Sequence, residues 1–590
     1  MEPPAGTDAP LRFGSFELDV RSRELRKDGK SVRLQEQPFE ILRMMLERPG
    51  HVVTREELAA RLWPAGTFVD FEHSLNAAVK RLRAALGDEA DNPRFVETLP
   101  RRGYRFIAAL DDGDAVEPAA APGSAPRVRL AVLPFSNLSE EIGQEYFTDG
   151  LTEEMIAQLG ELCRGRVGVI ARWSSMMFKH TQQRAREIGH ALKADYLLEG
   201  SVRREGDRVR ITARLIESAG ETHLWAATYE RELIDCLSVQ ADVAARIARS
   251  LAMELAPETT GPAGGATSDA AYQEYLKGRY HWNKLDDDRE PGPASSIEHA
   301  LTYFTRAREI DPAFAAAHGT IARVHIARAQ QYFERPRQAL EKARAFAKRA
   351  LELDPTLAEG HLALGDVRRM LEWDWPGAEQ AYAQAMARNP SHENVHRRYS
   401  LMLAVQSRRA EAIREAEHAC DLDPLNFIVR VSAALVRYLL GDYETAIQHC
   451  DRILDLGPQY LPARRLLGAA YLQAGRPRDA LAALEAAHAA VPTAPIALAW
   501  LAHAKGATGD RAGALEMLAR WRALDPSCYQ PPYHLALAQV GLGELDAAFA
   551  ALEDAWTDGD PALAYIAVDP RFELVRADPR YSRLIDRVGL

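Results

Sequence analysis

Cysteine is scarce: five residues in 590 (Cys163, Cys236, Cys420, Cys450, Cys528), none in a Cys-x-x-Cys pair, so neither a disulfide framework nor a cysteine zinc site is expected. Long apolar runs are missing too. FIVRVSAALVRYLL at 427–440 carries two arginines and falls short of the ~20 apolar residues that a membrane span needs. The opening MEPPAGTDAP has neither the basic nor the apolar region of a secretory signal. There is no Walker sequence, no Gly-x-Ser-x-Gly and no glycine-rich dinucleotide fingerprint, so no catalytic residues, no enzyme and no cofactor are expected. These absences read as a soluble, cytoplasmic chain. What is present is ordinary: 47% hydrophobic and 27% charged residues exclude disorder throughout, and 590 residues call for several domains.

Two stretches have linker composition. Residues 111–127, DDGDAVEPAAAPGSAPR, are acidic and then rich in Pro and Ala; residues 257–267, PETTGPAGGAT, are Pro, Gly and Thr. They divide the chain into segments 11–110, 128–256 and 268–590 and leave the relative placement of the three open. Charge divides with them: 18 Lys and Arg stand against 15 Asp and Glu in 11–110, and 55 against 69 in the remainder. The whole chain is acidic at −11, so any nucleic-acid contact belongs to the N-terminal segment.

That segment starts with short strands, FGSFELD and a hairpin around Lys27-Asp28-Gly29-Lys30, with Asp-Gly as the turn. A helix over 36–48 follows, with Phe39, Leu42, Met45 and Leu46 on one face. Thr54 opens a second helix as a capping box with Glu57, and Trp63-Pro64 ends it. In a third, about 72–86, Leu75, Val79, Leu82 and Leu86 face the core. The opposite face holds His73, Asn76, Ala77, Lys80, Arg81 and Ala84, a short-sided basic surface suited to a major groove, where Lys or Arg reads guanine and Asn reads adenine. Arg83 lies on the flank, a phosphate position. Two β-patterned runs around an Arg-Arg-Gly turn, FVETLPRRGYRFI, close the segment.

VKRLRAALGD (79–88) and ETLPRRGYRF (97–106) resemble the winged-helix effector domain of OmpR/PhoB-type response regulators, and the resemblance covers 12–108. It implies an α+β winged helix that binds double-stranded DNA. The 72–86 helix would read the major groove and the hairpin the adjacent minor groove. Arg101 or Arg102 would supply the wing contact, since Leu99-Pro100 replaces the family's Val-Arg, and Thr98 and Tyr104 phosphate or packing contacts. Pairing as a homodimer on direct repeats is also implied. About ten residues precede the domain, so no phosphorelay receiver is expected, and the polar 111–127 stretch offers no membrane anchor.

The middle segment reads as α/β with a terminal meander: strands at 128–136, 165–172, 196–202, 208–217 and 223–232, helices near 149–161 and 181–192, and a long helix over 235–255. AVLPFSNLS, EYFTDGLTEEMIAQL, YLLEGSVRREGDRVRITARLI and HLWAATYERE resemble a TolB-like domain, which implies signal transmission or protein interaction.

The C-terminal segment repeats. Helix-ending prolines recur at Pro312, Pro355, Pro390, Pro424, Pro458, Pro492 and Pro526, at intervals of 43 and 35 and then four of 34. Small residues precede them at i, i+4, i+7, as in Ala412, Ala416 and Ala419. With LLGAAY (Leu467, Gly468, Tyr471) this resembles the tetratricopeptide repeat: seven units and an eighth ending near Pro561. The 43-residue interval points to a longer first helix and an insertion around QYFERPRQ. Such an array stacks into an all-α superhelix whose concave surface, by resemblance, binds a protein or peptide partner. Within it, His392-Glu393-Asn394-Val395-His396 matches the zinc-protease pattern His-Glu-x-x-His, but it sits in repeat register with Ser391 as a helix cap, so no metal is expected.

The expectation is a sequence-specific transcriptional regulator whose middle and repeat segments receive a signal. The alternatives are an assembly scaffold whose winged helix contacts protein, and a metalloprotease at 392–396.

Overall fold

The computed structural model describes residues 11–13, 16–19, 24–27, 30–32, 34–46, 52–62, 71–86, 88, 95–99, 103–106, 128–138, 145–162, 167–205, 208–232, 268–283, 293–525 and 528–590. Both linkers, Trp63-Pro64 and the helix expected over 235–255 lie outside them. The chain divides into two compact units, 1–121 and 122–590.

In the first unit β1 (Leu11–Phe13), β2 (Phe16–Asp19), β3 (Glu24–Lys27) and β4 (Lys30–Val32) form an antiparallel sheet in that order. Lys27 pairs with Lys30 across the Asp-Gly dipeptide, the register expected of that hairpin. Helix α1 (Glu36–Leu46) buries Phe39, Leu42, Met45 and Leu46. Helix α2 (Arg55–Leu62) opens on the expected capping box: Thr54 N donates to Glu57 Oε2 at 2.8 Å, and Glu57 N to Thr54 Oγ1 at 3.2 Å. Helix α3 (Phe71–Leu86) follows. Then β5 (Val52–Thr54), β7 (Gly103–Phe106) and β6 (Val96–Leu99) form a second sheet in that order. Gly103 has φ +154°, and a Cβ there would lie 2.1 Å from the Val53 carbonyl oxygen. No other residue lets β5 and β7 approach so closely.

The second unit begins with a mixed sheet in the order β10 (Val167–Ile170), β8 (Val128–Val132), β11 (Tyr196–Glu205), β12 (Arg208–Glu217), β13 (Thr222–Glu232). β8 runs parallel to β10 and β11, and β11 to β13 form the antiparallel meander. The single strand expected over 128–136 is split: β9 (Ser136–Asn137) pairs separately with β11, and Pro134, which has no N–H for a ladder, stands between. Helices α4 (Glu145–Leu162), α5 (Arg172–Met176) and α6 (Ala185–Leu192) complete this segment.

Eight helix pairs follow among the described residues, from Asp269–Asn283 with Pro293–Ile310 to Pro532–Leu542 with Leu545–Asp558. The small residues read from the pattern are buried where helices meet: Ala412, Ala416 and Ala419, and Ala343, Ala347 and Ala350. The 43-residue interval has the longer first helix expected of it and a longer connection at 331–335, five residues against three at 440–442, and its second helix is longer as well. Both of its helices are long, 16 and 18 residues (Ala315–Gln330, Pro336–Leu353), where a later unit has 13 and 14 (Phe427–Leu439, Tyr443–Leu456).

The middle segment is not an independent module. Its core continues into the first repeats: Leu151, Met155 and Leu159 of α4 share a cluster with Tyr272, Tyr275 and Phe304. The sheet's β10 edge is met by the array. Val169 N donates to Ser391 Oγ at 3.2 Å, and Ala171 N to the Leu422 carbonyl at 2.8 Å. A sheet edge carries unpaired N–H groups that need a partner, and the repeats supply it. Ser391 is therefore not the helix cap expected of it; His392 occupies the N-cap position. Beside this seam the buried Asp423 carboxylate accepts from Ser174 N at 3.0 Å, Ser174 Oγ at 2.5 Å and Asn426 Nδ2 at 2.8 Å.

Burial, reinforced by the charge of Glu393, pushes the Asp423 carboxyl up to about 7. A carboxyl whose folded value exceeds its unfolded one favours folding fully at low pH, and that contribution is lost as pH rises through about 7. Asp423→Asn should therefore flatten the fall in urea stability between about pH 4 and pH 7 relative to wild type. Identical pH slopes for the two proteins would contradict this.

Candidate nucleic-acid interface

Helix α3 divides by its period. Leu75, Val79, Leu82 and Leu86 are buried as spacing required, and Ala78 joins them. Asn76, Lys80 and Arg81 are exposed on the other side, with Ala77 half-buried between. His73 falls on α3, but its side chain is outside the described set; Arg101 and Arg102 are outside the described residues altogether.

The exposed face is braced from below. The Tyr104 ring, on β7, is buried, and its hydroxyl donates to Asn76 Oδ1 at 2.9 Å. Arg55, the first residue of α2, reaches the same two groups, with Nη1 3.4 Å from Asn76 Oδ1 and Nη2 3.3 Å from the Tyr104 oxygen. Its guanidinium carbon lies 5.4 Å from the centroid of that ring. Asn76 thus projects from the helix with its carbonyl held by the hairpin strand. Arg81 Nη1 donates to Gln35 Oε1 at 2.6 Å, just before α1.

Arg83 corrects the reading of an exposed flank. Only 7% exposed, it forms an ion pair with Asp88 at 3.3 Å and donates to Thr98 Oγ1 at 2.8 Å. Asp88 also accepts from Phe95 N at 3.3 Å and Val96 N at 2.9 Å. The end of α3 is thereby fastened to the start of β6, and Arg83 turns inward because a buried carboxylate needs a counter-charge. Thr98 stays exposed as the acceptor for Arg83, and Tyr104 is a packing residue whose hydroxyl positions Asn76. Sequence reasoning missed Arg55 and Asp88. Their signals were the position just after the Thr54 cap and the Gly-Asp pair just after the helix.

The His392–His396 pattern is absorbed by the repeat. His396 Nδ1 lies 2.7 Å from Glu415 Oε2 and Nε2 2.9 Å from the Pro390 carbonyl, so both ring nitrogens are engaged. Among the described residues no group of three His, Cys, Asp or Glu side chains is placed to hold a metal ion. Among the same residues, no helix is long and apolar enough to cross a membrane.

Comparison with known proteins finds family matches in three parts of the chain. Residues 29–106 match the family model described as transcriptional regulatory protein, C terminal. Residues 126–246 match that of the second domain of HilA/YgeH-like transcriptional regulators. Residues 405–460, 438–487 and 471–540 match tetratricopeptide repeat models. A Rhizobium meliloti (strain 1021) protein named as an adenylate cyclase is 36% identical over 198 residues, 33% of this chain and 32% of that protein. The cholera toxin homolog transcriptional activator of Vibrio parahaemolyticus is 36% identical over 99 residues, 16% of this chain and 34% of that one. The chain thus spans about a third of the length of these curated relatives. Among solved structures, the DNA-binding domain of Klebsiella pneumoniae RstA in complex with RstA box is 29% identical, with 17% of this chain and 96% of that one covered and a TM-score of 0.15.

Removing the carboxylate at Asp88→Ala strands Arg83 and two backbone N–H groups, a loss of about 3 kcal/mol. Hydrogen exchange of amides in 71–106 should accelerate about 100-fold, while Thr98→Val, which removes one acceptor, should change it less than tenfold. Equal effects would place the anchor elsewhere.

Proposed function

We propose that this chain is a sequence-specific, DNA-binding transcriptional regulator in which α3 enters the major groove of double-stranded DNA. The observation that carries the reading is the one-sided α3: Asn76, Lys80 and Arg81 exposed over a packed core, in a segment matching the regulator model. Lys80 and Arg81 supply cationic donors for guanine edges or phosphate, and Asn76, its carbonyl held by Tyr104, offers its amide N–H groups to a base edge. His73 contributes from the first turn of the same helix. Arg101 or Arg102 enters the minor groove from the hairpin. Arg83 has no direct role, since its charge is spent on Asp88. The protein pairs as a homodimer on direct repeats and works in the cytoplasm, where its DNA is.

The middle segment, which we read as TolB-like, and the tetratricopeptide array receive the signal through protein contacts. The match to a HilA/YgeH-like regulator domain supports a place in transcriptional control for it. No catalytic step is assigned to any segment. The seam at Val169, Ala171 and Asp423 makes sheet and repeats one body, so a partner that shifts one shifts both.

The test takes a duplex enriched by the full-length protein from a random pool. Lys80→Ala with Arg81→Ala should weaken binding about 100-fold or more, as expected for two contacts worth ~1–3 kcal/mol each, and reduce the salt slope. Thermal unfolding should shift only slightly, because both side chains are exposed and the bond lost, from Arg81 to Gln35, lies at the surface. Tyr104→Phe, which removes the shorter of the two hydrogen bonds on Asn76 and leaves the 3.4 Å one from Arg55, should relax base preference at one position and cost up to about tenfold. Binding within threefold of wild type by the double variant would overturn the assignment of α3.

A further inference from the structure

The chain after the eighth helix pair carries its own short repeat. Asp560-Pro561, Asp569-Pro570 and Asp578-Pro579 stand nine residues apart. Each aspartate caps the turn that follows, accepting from the N–H two residues on: Ala562 at 3.0 Å, Arg571 at 3.1 Å and Arg580 at 2.9 Å. The third residue after each aspartate is buried (Leu563, Phe572, Tyr581), and so is the sixth (Ile566, Val575, Leu584). Two short 3-10 turns and a final helix, Pro579–Val588, therefore each turn an apolar edge inward.

Those edges lie along the first helices of the pairs, the inner surface of the array. Tyr565 packs against clusters built from the helices of 401–436 and 434–470. Asp569 accepts from the Tyr533 hydroxyl at 2.9 Å, the Arg571 guanidinium carbon lies 4.0 Å from the Trp500 ring centroid, and Phe572 is 5.0 Å from the Tyr533 ring. At the ends, the Tyr332 hydroxyl donates to Asp560 at 2.8 Å and Trp375 Nε1 to the Val588 carbonyl at 2.7 Å. The contacts run from the second pair to the eighth. The concave surface that the repeat pattern assigned to a partner is filled by the chain itself.

We propose that residues 560–590 are an intramolecular ligand of the array's inner surface, which closes it to partners unless they displace this segment. The occupant specifies the chemistry of a competitor: an Asp-Pro-Arg-aromatic peptide, whose carboxylate meets the Tyr533 hydroxyl and whose guanidinium stacks on Trp500. A tethered segment acts at an effective concentration of order millimolar, so a free peptide at about 10 μM reaches the intact groove in roughly one molecule in a hundred. The inference rests on reading the array as a peptide-binding surface. It is independent of DNA binding, which has its own readout.

The test uses the full chain with a protease recognition sequence inserted between Asp558 and Gly559, ahead of the segment. After cleavage, a fluorescent peptide of residues 560–590 is added to nicked and uncut protein. The nicked chain should keep its helical circular dichroism and take up label about 100-fold better than the uncut chain. A peptide carrying Asp569→Asn and Arg571→Ala should compete at least about tenfold less well. Collapse of the helical signal on cleavage, or a folded nicked chain that takes up no label, would show an integral core element and overturn the proposal. Hydrogen exchange on the uncut chain decides the case in which the site resists cleavage. Amides of 561–588 should open at lower denaturant than those of 393–507, and exchange of both only in one global transition would also overturn it.

Discussion

A two-helix unit with alanines on one face cannot bury that face alone, and the architecture of residues 122–590 follows from this. Each pair needs a neighbour, which the 34-residue period supplies. The inner surface needs a cover, which the Asp-Pro turns of 560–590 supply. One end of the fourth pair, before its first helix and at the close of its second, meets a different need, the unpaired edge of a β-sheet. Val169 and Ala171 of that edge find acceptors in Ser391 and Leu422, and Asp423 collects the donors of Ser174. Two incomplete surfaces complete each other, and the middle segment loses the independence that a linker on its far side suggested.

The first unit works at a smaller scale by the same logic. Its α3 must stay rigid while half its surface is left to solvent. The buried Arg83–Asp88 pair fastens the helix end to β6, and Tyr104 reaches through from β7 to hold Asn76. Neither device touches the exposed Lys80 and Arg81. They keep the backbone beneath those side chains in place, so less ordering would be needed for the binding proposed for this face.

What was legible in the sequence was periodic or local. The 3.6-residue spacing of Leu75, Val79, Leu82 and Leu86 gave both the core and the opposed face of α3. The Thr54–Glu57 box showed where α2 begins, and the spaced prolines gave the repeats. What was not legible depended on residues distant in the chain. A helical wheel puts Arg83 on a flank, because nothing in the helix announces a carboxylate five positions on that will be buried against β6. Ser391 reads as a cap, because its real partner is an amide 222 residues away. The nine-residue pattern of the last thirty residues is plain once its aspartates are seen capping turns. By period alone it is too short to stand out beside 34.

The proposed function requires α3 to be the surface that meets bases. Photo-cross-linking from a reactive side chain at Ala77, half-buried between Asn76 and Lys80, tests this most directly on a duplex that the full-length protein itself has enriched. A cross-link is expected to one or two adjacent bases on the major-groove side, lost when the duplex sequence is scrambled. Cross-links to protein alone, or to DNA regardless of sequence, would contradict the proposed function and turn α3 into a protein-contact surface.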